Sequence, residues 1–194
     1  MIDTLMPLDH QNKLSHILLN HPYLTAILQQ LYEIEPDAYI AAGVIRNTIW
    51  DYLHDRQYDL NHTEVDIVFY DPDDDGRQHQ KIEDKITKIF PSIQWDVTNQ
   101  ALVHQWYRTE EGASISALQS LAHAISLWPE TATAVAVRFN HQGNIDCLAP
   151  LGLADLLHLK LRWNPALVAY SVFLQRIQQK KFLSRWPKLS CVDI

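Results

Sequence analysis

Residues 41–71 read AAGVIRNTIWDYLHDRQYDLNHTEVDIVFYD, and no other stretch says as much about the architecture of the chain. Residues 38–42 are predicted to form a buried strand that ends at Gly43. Residues 45–56 follow with apolar side chains at helical spacing. A second strand, rich in Val, Ile and Phe, is predicted over residues 64–70. The resulting order is strand, glycine turn, helix, strand.

The rest of the chain predicts further helices and strands around this unit. Helices are expected over residues 10–20, 22–33, 80–90, 153–162 and 167–185, two more within 100–128, a strand over 93–98, and a hairpin formed by 131–139 and 145–149. Strands interleaved with helices predict an α/β (α+β) fold in which helices cover a mixed β-sheet of about five strands. We expect one domain over residues 1–194, with an N-terminal helical part at 1–35 and a basic C-terminal helical tail at 165–194.

The charge of the chain is unevenly distributed. Its 194 residues carry 16 Lys and Arg against 23 Asp and Glu, a formal net charge of -7. Residues 1–154 contain 9 basic and 21 acidic residues, whereas residues 155–194 contain 7 and 2. Proteins that bind nucleic acid contact its phosphates with lysines and arginines. Because residues 1–154 are strongly acidic, we do not expect a nucleic-acid partner.

Cysteine content and hydropathy indicate the compartment. The two cysteines, Cys147 and Cys191, do not form a disulfide framework or a CxxC zinc motif. The first thirty residues lack the basic and apolar regions of a signal peptide, and no apolar run approaches the ~20 residues of a membrane span. We therefore expect a cytoplasmic protein without a membrane segment.

The glycine turn and the second strand carry residues suited to phosphate and metal chemistry. Gly43 allows close approach of backbone to a phosphate, and the helix behind it, which begins with Arg46 and Asn47 in its first turn, presents free N–H groups to an anion. Glu64 and Asp66 lie two apart on a strand and so project from one face, with Cα atoms roughly 6.6–6.8 Å apart. Two such carboxylates can share Mg²⁺.

These residues resemble the polymerase-β-type nucleotidyltransferase superfamily. The segments Ala42-Gly43-Val44-Ile45-Arg46-Asn47 and Glu64-Val65-Asp66 resemble the GGxVRD turn and DxD strand of bacterial CCA-adding enzymes and poly(A) polymerases. The chain is also similar, over about residues 38–188, to bacterial proteins known as nucleotidyltransferase family proteins. The segments that carry this similarity are AAGVIRNTIWDYLH, EVDIVFYDPDD, WDVTNQA, WPETATAVAVR, APLGLADLL and RWNP.

The resemblance implies a nucleotidyltransferase fold and a metal-dependent transfer of a nucleoside monophosphate from an NTP to a hydroxyl acceptor. It implies two Mg²⁺ ions, with Mn²⁺ as a substitute, and an unknown small molecule or protein as acceptor. The residues implied in nucleotide binding are Ala42, Gly43, Arg46 and Asn47. Those implied in catalysis are Glu64, Asp66, Asp96 and Asp146, of which Glu64, Asp66 and Asp96 are the expected metal ligands.

The superfamily needs a third carboxylate on a neighbouring strand, and two residues compete for this role. Asp146 lies on the hairpin that resembles the part of CCA-adding enzymes carrying their third acid. Asp96 follows the helix at residues 80–90 and precedes a polar cluster of Thr98, Asn99 and Gln100, which favours Asp96 as a site residue. Both alternatives are kept.

Two departures from the superfamily pattern favour a second hypothesis. Ala42 replaces the first glycine of the turn and narrows the room for a triphosphate. Glu64 replaces the first aspartate of the strand. The alternative is a catalytically lapsed nucleotide-binding or regulatory module. The tryptophans at positions 50, 95, 106 and 128 are interpreted as packing residues rather than as a platform for a nucleobase.

Overall fold

The computed structural model describes residues 7–61 and 63–192, and the side chains from residue 9 onward in the first of these ranges. The helices are α1 Pro7–Leu19, α2 Pro22–Ile34, α3 Gly43–Tyr52, α4 Gln78–Ile89, α5 Val103–Trp106, α6 Leu121–Ser126, α7 Ala154–Leu157, α8 Tyr170–Gln179 and α9 Phe182–Arg185, with a short 3₁₀ helix at Thr131–Thr133. None of the described helices is long and apolar enough to cross a membrane.

Five strands form the central sheet, in the spatial order β3-β2-β1-β4-β5. They are β1 Tyr39–Ala41, β2 Glu64–Phe69, β3 Gln94–Asn99, β4 Ala136–Phe139 and β5 Ile145–Leu148. Strands β2 and β3 run parallel, and the other neighbours are antiparallel. The predicted fold class, a mixed sheet of about five strands with helices against it, is confirmed.

The two faces of the sheet serve different purposes. Alternate residues of β2 point to opposite sides, and Val65, Ile67 and Phe69 enter the main hydrophobic core with helices α1, α2 and α3. On the other face a smaller apolar cluster forms around Val68 and Ala41. The carboxylate-bearing residues of β2 share this second face, which is covered only in part by the segment between β3 and β4.

The C-terminal segment differs from the expected pair of long helices. The helix predicted over residues 153–162 is wrong beyond α7, because Leu159 adopts a positive φ of 58° and the chain then enters strand β6, Lys160–Leu161. This strand pairs with β7, Ser190–Cys191, in a two-stranded parallel sheet. The helix predicted over residues 167–185 is interrupted at Lys181, whose φ of 53° separates α8 from α9.

The basic C-terminal segment is part of the core. Phe182 and Trp186 are fully buried and pack edge-on against Trp50 of α3, with ring centroids 5.6 and 5.1 Å apart. The indole N–H of Trp186 donates to the carboxylate of Asp51 at 2.8 Å. Burying an aromatic side chain of this size contributes on the order of 2–3 kcal/mol, so helices α8 and α9 help to hold α3 in place.

Candidate active site

The turn between β1 and α3 has an unusual backbone at Ala42. Its φ of 55° and ψ of -119° lie in a region that glycine occupies readily and alanine does not. The surrounding hydrogen bonds hold it there, since the Ala42 N–H donates to the carbonyl of Val135 and its own carbonyl accepts from the N–H of Arg46, both at 3.0 Å. This conformation turns the chain sharply and places Gly43, at the start of α3, beside Asp66 of β2.

Two carboxylates lie side by side under this turn. Asp66 of β2 and Asp96 of β3 are direct partners in the parallel register, and Glu64 lies two residues before Asp66 on the same face. Asp96 and Glu64 are exposed, whereas Asp66 is partly buried. The hydroxyl of Thr98 donates to Asp96 at 2.9 Å, which orients that carboxylate. The fold thus makes Asp66 and Asp96 direct neighbours and places Glu64 on the same face of the sheet.

The environment disfavours the charged form of Asp66. The pKa of Asp66 is raised from 3.8 to about 6. Burial is the largest cause, and the neighbouring carboxylates of Asp96 and Glu64 also raise the pKa. A hydrogen bond from the backbone N–H of Gly43 and the charge of Arg46 lower it, but do not outweigh the other effects. A group in such surroundings is stabilised as an anion when a cation joins it.

Gly43 is open on its outer side. A Cβ at this position would lie 3.8 Å from Nη2 of Arg46 and 3.9 Å from Oδ2 of Asp66, which is ordinary van der Waals contact. The chain itself therefore does not require glycine at residue 43. A glycine that the protein does not need for its own packing is consistent with close approach of an external group.

The other competing carboxylate, Asp146, lies elsewhere. It is on β5, at the edge of the sheet opposite β3, so three strand spacings, about 14 Å, separate its strand from β2. Its carboxylate accepts from the side-chain amide of Asn140 at 3.0 Å and faces Nε of Arg138 at 3.7 Å. The fold does not bring Asp146 to Glu64 and Asp66.

Arg46 and Asn47, predicted to bind nucleotide, are buried beneath the turn. The guanidinium of Arg46 donates to Thr133 at 2.8 Å and to the side chain of Asn47, and it packs on the ring of Phe182. Burial lowers the pKa of Arg46 to about 10, although the charge of Glu130 opposes this effect. In this arrangement Arg46 supports the turn from inside, and its donors are already directed to protein atoms.

A cavity of about 290 Å³ opens beside the carboxylates. Its polar walls come from Asp66, Asp96, Thr98, Gln100, Thr133 and Arg176, and its apolar walls from Ala42, Val68, Val103, Trp106, Tyr107, Ile115, Leu118, Ala124, Leu127, Trp128, Pro129 and Leu167. Thr98 and Gln100 belong to the polar cluster at the end of β3, which the sequence associates with the site. Asn99 points to the other side, where its amide binds Asp71 and Asp74.

The sequence did not place the remaining wall residues at the site. Trp106 is 64% exposed, unlike Trp50 and Trp95, which are buried as predicted. Arg176 reaches the cavity from α8, and its guanidinium forms an ion pair with the fully buried Glu130. No local pattern places Trp106 or Arg176 at the cavity, because each meets it only through the folding of segments distant in the chain.

No group of three or more His, Cys, Asp or Glu side chains within the described ranges converges closely enough to hold a metal ion. The donor set nevertheless fits a divalent cation, because carboxylates are the ligands that Mg²⁺ prefers. Asp66 and Asp96 lie side by side on neighbouring strands, and neither forms an ion pair with a Lys, Arg or His among the residues that the structure describes.

Comparisons with known proteins agree with the fold. An NMR structure that reveals a CCA-adding enzyme head domain matches with a TM-score of 0.78 and 26% identity, covering 94% of this chain and 96% of that one. The Thermotoga maritima CCA-adding enzyme complexed with tRNA matches with a TM-score of 0.60 and 12% identity, over 93% of this chain and 42% of that one. A CCA-adding enzyme in complex with CTP gives 0.59 and 13%, over 93% and 43%.

The present chain thus spans less than half the length of these two enzymes, and at such identities the likeness shows the fold alone. No curated protein matches the sequence. The nucleotidyltransferase family matches over residues 32–191, which includes the turn at Gly43, the paired acids and the cavity. The chain therefore belongs to the nucleotidyltransferase family.

Proposed function

We propose that the protein transfers a nucleoside monophosphate from an NTP to a hydroxyl acceptor. In this reaction the acceptor oxygen forms a bond to the α-phosphorus, the bond from that phosphorus to the bridging oxygen breaks, and pyrophosphate leaves. The acceptor proton is released. The observation that carries the proposal is the pairing of Asp66 with Asp96 directly under the Gly43 turn, beside a cavity.

Glu64, Asp66 and Asp96 are the residues that would hold Mg²⁺, as two ions, or Mn²⁺ in its place. When bound, divalent ions neutralise charge on the attacking and leaving oxygens of such a displacement. Asp66 suits this assignment because burial and the carboxylates of Asp96 and Glu64 raise its pKa, and a bound divalent cation would stabilise its anion. Asp96, which is exposed and oriented by Thr98, would accept the acceptor proton. We assign it, rather than Asp146, as the third carboxylate.

The Gly43 turn and the first turn of α3 would receive the triphosphate. Helix α3 has no side-chain cap at its N-terminus, so its first N–H groups remain donors for an anion, apart from that of Gly43, which binds Asp66. The apolar half of the cavity would receive the base. Trp106 offers an exposed aromatic face there, and stacking on a base is worth ~1–3 kcal/mol.

A small molecule or a protein side chain suits this cavity as acceptor better than a polynucleotide does. Arg176 is the single cation among its lining residues in the described part of the chain. A polynucleotide acceptor needs several lysines and arginines along its backbone.

A specific observation favours the second candidate, a nucleotide-binding module without catalysis. The methyl group of Ala42 lines the cavity at the point where the turn approaches the carboxylates, and it occupies a backbone conformation suited to glycine. Such a module would bind a nucleotide with Mg²⁺ but would not release pyrophosphate.

The test measures pyrophosphate release from each of the four NTPs with Mg²⁺ or Mn²⁺, with a cell extract as the source of acceptor. Wild type is compared with Asp66→Asn, and with Asp146→Asn as a matched carboxylate from the same sheet. Transfer predicts release that needs the extract and is lost in Asp66→Asn but kept in Asp146→Asn. Nucleotide-dependent thermal stabilisation without release in any condition would favour the binding module instead.

A further inference from the structure

We propose that Arg176 is a substrate-binding residue that contacts the phosphate groups of the nucleotide. The inference rests on the proposed function and adds a residue from a distant part of the chain to that site. Among the lining residues that the structure describes, Arg176 is the only cation, whereas Asp66 and Asp96 are both acids. A polyphosphate entering this cavity therefore meets one side chain of opposite charge.

Glu130 holds the guanidinium of Arg176 from one side. Nε of Arg176 donates to Oε1 of Glu130 at 2.5 Å, and Nη2 donates to Oε2 at 3.4 Å. The remaining nitrogen, Nη1, makes no hydrogen bond to a described residue. The planar fork of arginine leaves such a nitrogen fixed in direction once the other two are bound. Arg176 is thus oriented by the protein and retains donors for a ligand.

Of the two arginines that act on Glu130, Arg176 is the one that is accessible from the cavity. Arg46 acts on Glu130 and also on Asp66. Arg46 is buried and its donors are directed to Thr133 and Asn47. The side chain of Arg176, by contrast, is 30% exposed and lines the cavity. A ligand in the cavity can therefore reach the guanidinium of Arg176.

Glu130 itself is held as an anion. Burial raises its pKa, but the hydrogen bond and charge of Arg176, with the charge of Arg46 and a hydrogen bond from Thr133, outweigh burial and leave the pKa below its ordinary value. Among the described residues, Arg176 is the arginine that donates hydrogen bonds to Glu130. Because Arg176 also lines the cavity that contains the candidate catalytic acids, the pair with Glu130 orients a cation toward a bound ligand.

The difficulty for a test is that removing Arg176 alone leaves a buried charge unpaired, which strongly destabilises a protein. The experiment therefore compares wild type, Arg176→Met and the double variant Glu130→Gln with Arg176→Met, in which no carboxylate is stranded. Lys180→Met is the matched control, because it removes one positive charge from the exposed end of the same helix. Binding of tripolyphosphate and of each NTP, both with Mg²⁺, is measured by calorimetry alongside the melting temperature.

We expect Arg176→Met to lower both the melting temperature and the affinity. The double variant should regain thermal stability but bind tripolyphosphate and NTP at least tenfold more weakly than wild type. Lys180→Met should bind within twofold of wild type. A double variant that regains affinity together with stability would show that Arg176 is only structural and would overturn the inference. Wild-type protein that binds no NTP would overturn the proposed function, and this inference with it.

Discussion

The raised pKa of Asp66 predicts a measurable change in stability when its charge is removed. In Asp66→Asn the side chain keeps its size and can still accept the hydrogen bond from the N–H of Gly43, but it cannot ionise. The pKa rises from 3.8 to about 6, and since one pKa unit corresponds to 1.36 kcal/mol, the ionised carboxylate costs the folded protein about 3 kcal/mol.

The sign of the pH dependence follows from where the proton binds. Because the pKa of Asp66 is higher in the folded than in the unfolded protein, the folded state holds more protons between about pH 4 and pH 6. The stability contributed by this group is complete below about pH 4 and is lost as the pH rises through about 6. Asp66→Asn should therefore match wild type near pH 4 and exceed it by about 3 kcal/mol near pH 8.

The assay is urea unfolding in the presence of a chelator, at several pH values from about 4 to 8. Asp146→Asn serves as the control, because its carboxylate lies on a strand about 14 Å from Asp66 and should not produce this rise with pH. A stability difference between wild type and Asp66→Asn that stays constant over this range would refute the reasoning. Excess Mg²⁺ should then stabilise wild type and not Asp66→Asn, by mass action on the folded state.

Three further predictions concern the turn and the cavity. Ala42→Gly should raise the free energy of unfolding by about 1 kcal/mol, as measured by thermal unfolding. Relief of the positive φ is worth ~1–3 kcal/mol, which exceeds the entropic cost of glycine's greater freedom in the unfolded chain. A lower free energy of unfolding would contradict this. Gly43→Ala should leave the melting temperature unchanged or raise it, because the added Cβ makes only ordinary van der Waals contacts. It should nevertheless weaken NTP binding about tenfold, or ~1.4 kcal/mol. An unchanged affinity would exclude close approach of the nucleotide to this residue. Trp106→Leu should weaken binding of NTP but not of tripolyphosphate, by ~1–3 kcal/mol, whereas Trp106→Phe retains most of the affinity. Equal losses for both ligands would argue against base stacking.

The strand-turn-helix-strand unit could be predicted because its signals are local. A buried strand ending at Gly43 and an amphipathic pattern behind it depend on residues close together in the chain. The alternation in β2 places Val65 and Ile67 on one face and Asp66 on the other whatever the rest of the chain does. For these reasons residues 41–71 predicted the strand-turn-helix-strand order and two of the candidate acids, Glu64 and Asp66.

What could not be predicted depends on contacts between distant segments. Our proposal of Asp96 rather than Asp146 as the third carboxylate depends on sheet order, which places β3 next to β2 and β5 at the far edge. The sequence predicts Arg46 as a nucleotide-binding residue, but it does not reveal that Phe182 of α9 packs on the guanidinium of Arg46. The breaks near Leu159 and Lys181 are positive-φ positions occupied by residues other than glycine, so no composition signal marks them.

The central claim is that nucleotide and metal bind between the Gly43 turn and the paired acids Asp66 and Asp96. A crystal structure with Mn²⁺ and a non-hydrolysable NTP tests it most directly, because the anomalous signal of manganese locates the ions independently of the rest of the map. We predict manganese in contact with carboxylate oxygens of Asp66 and Asp96 and a triphosphate against Gly43. Nucleotide bound elsewhere, with no manganese at Asp66, would contradict the account.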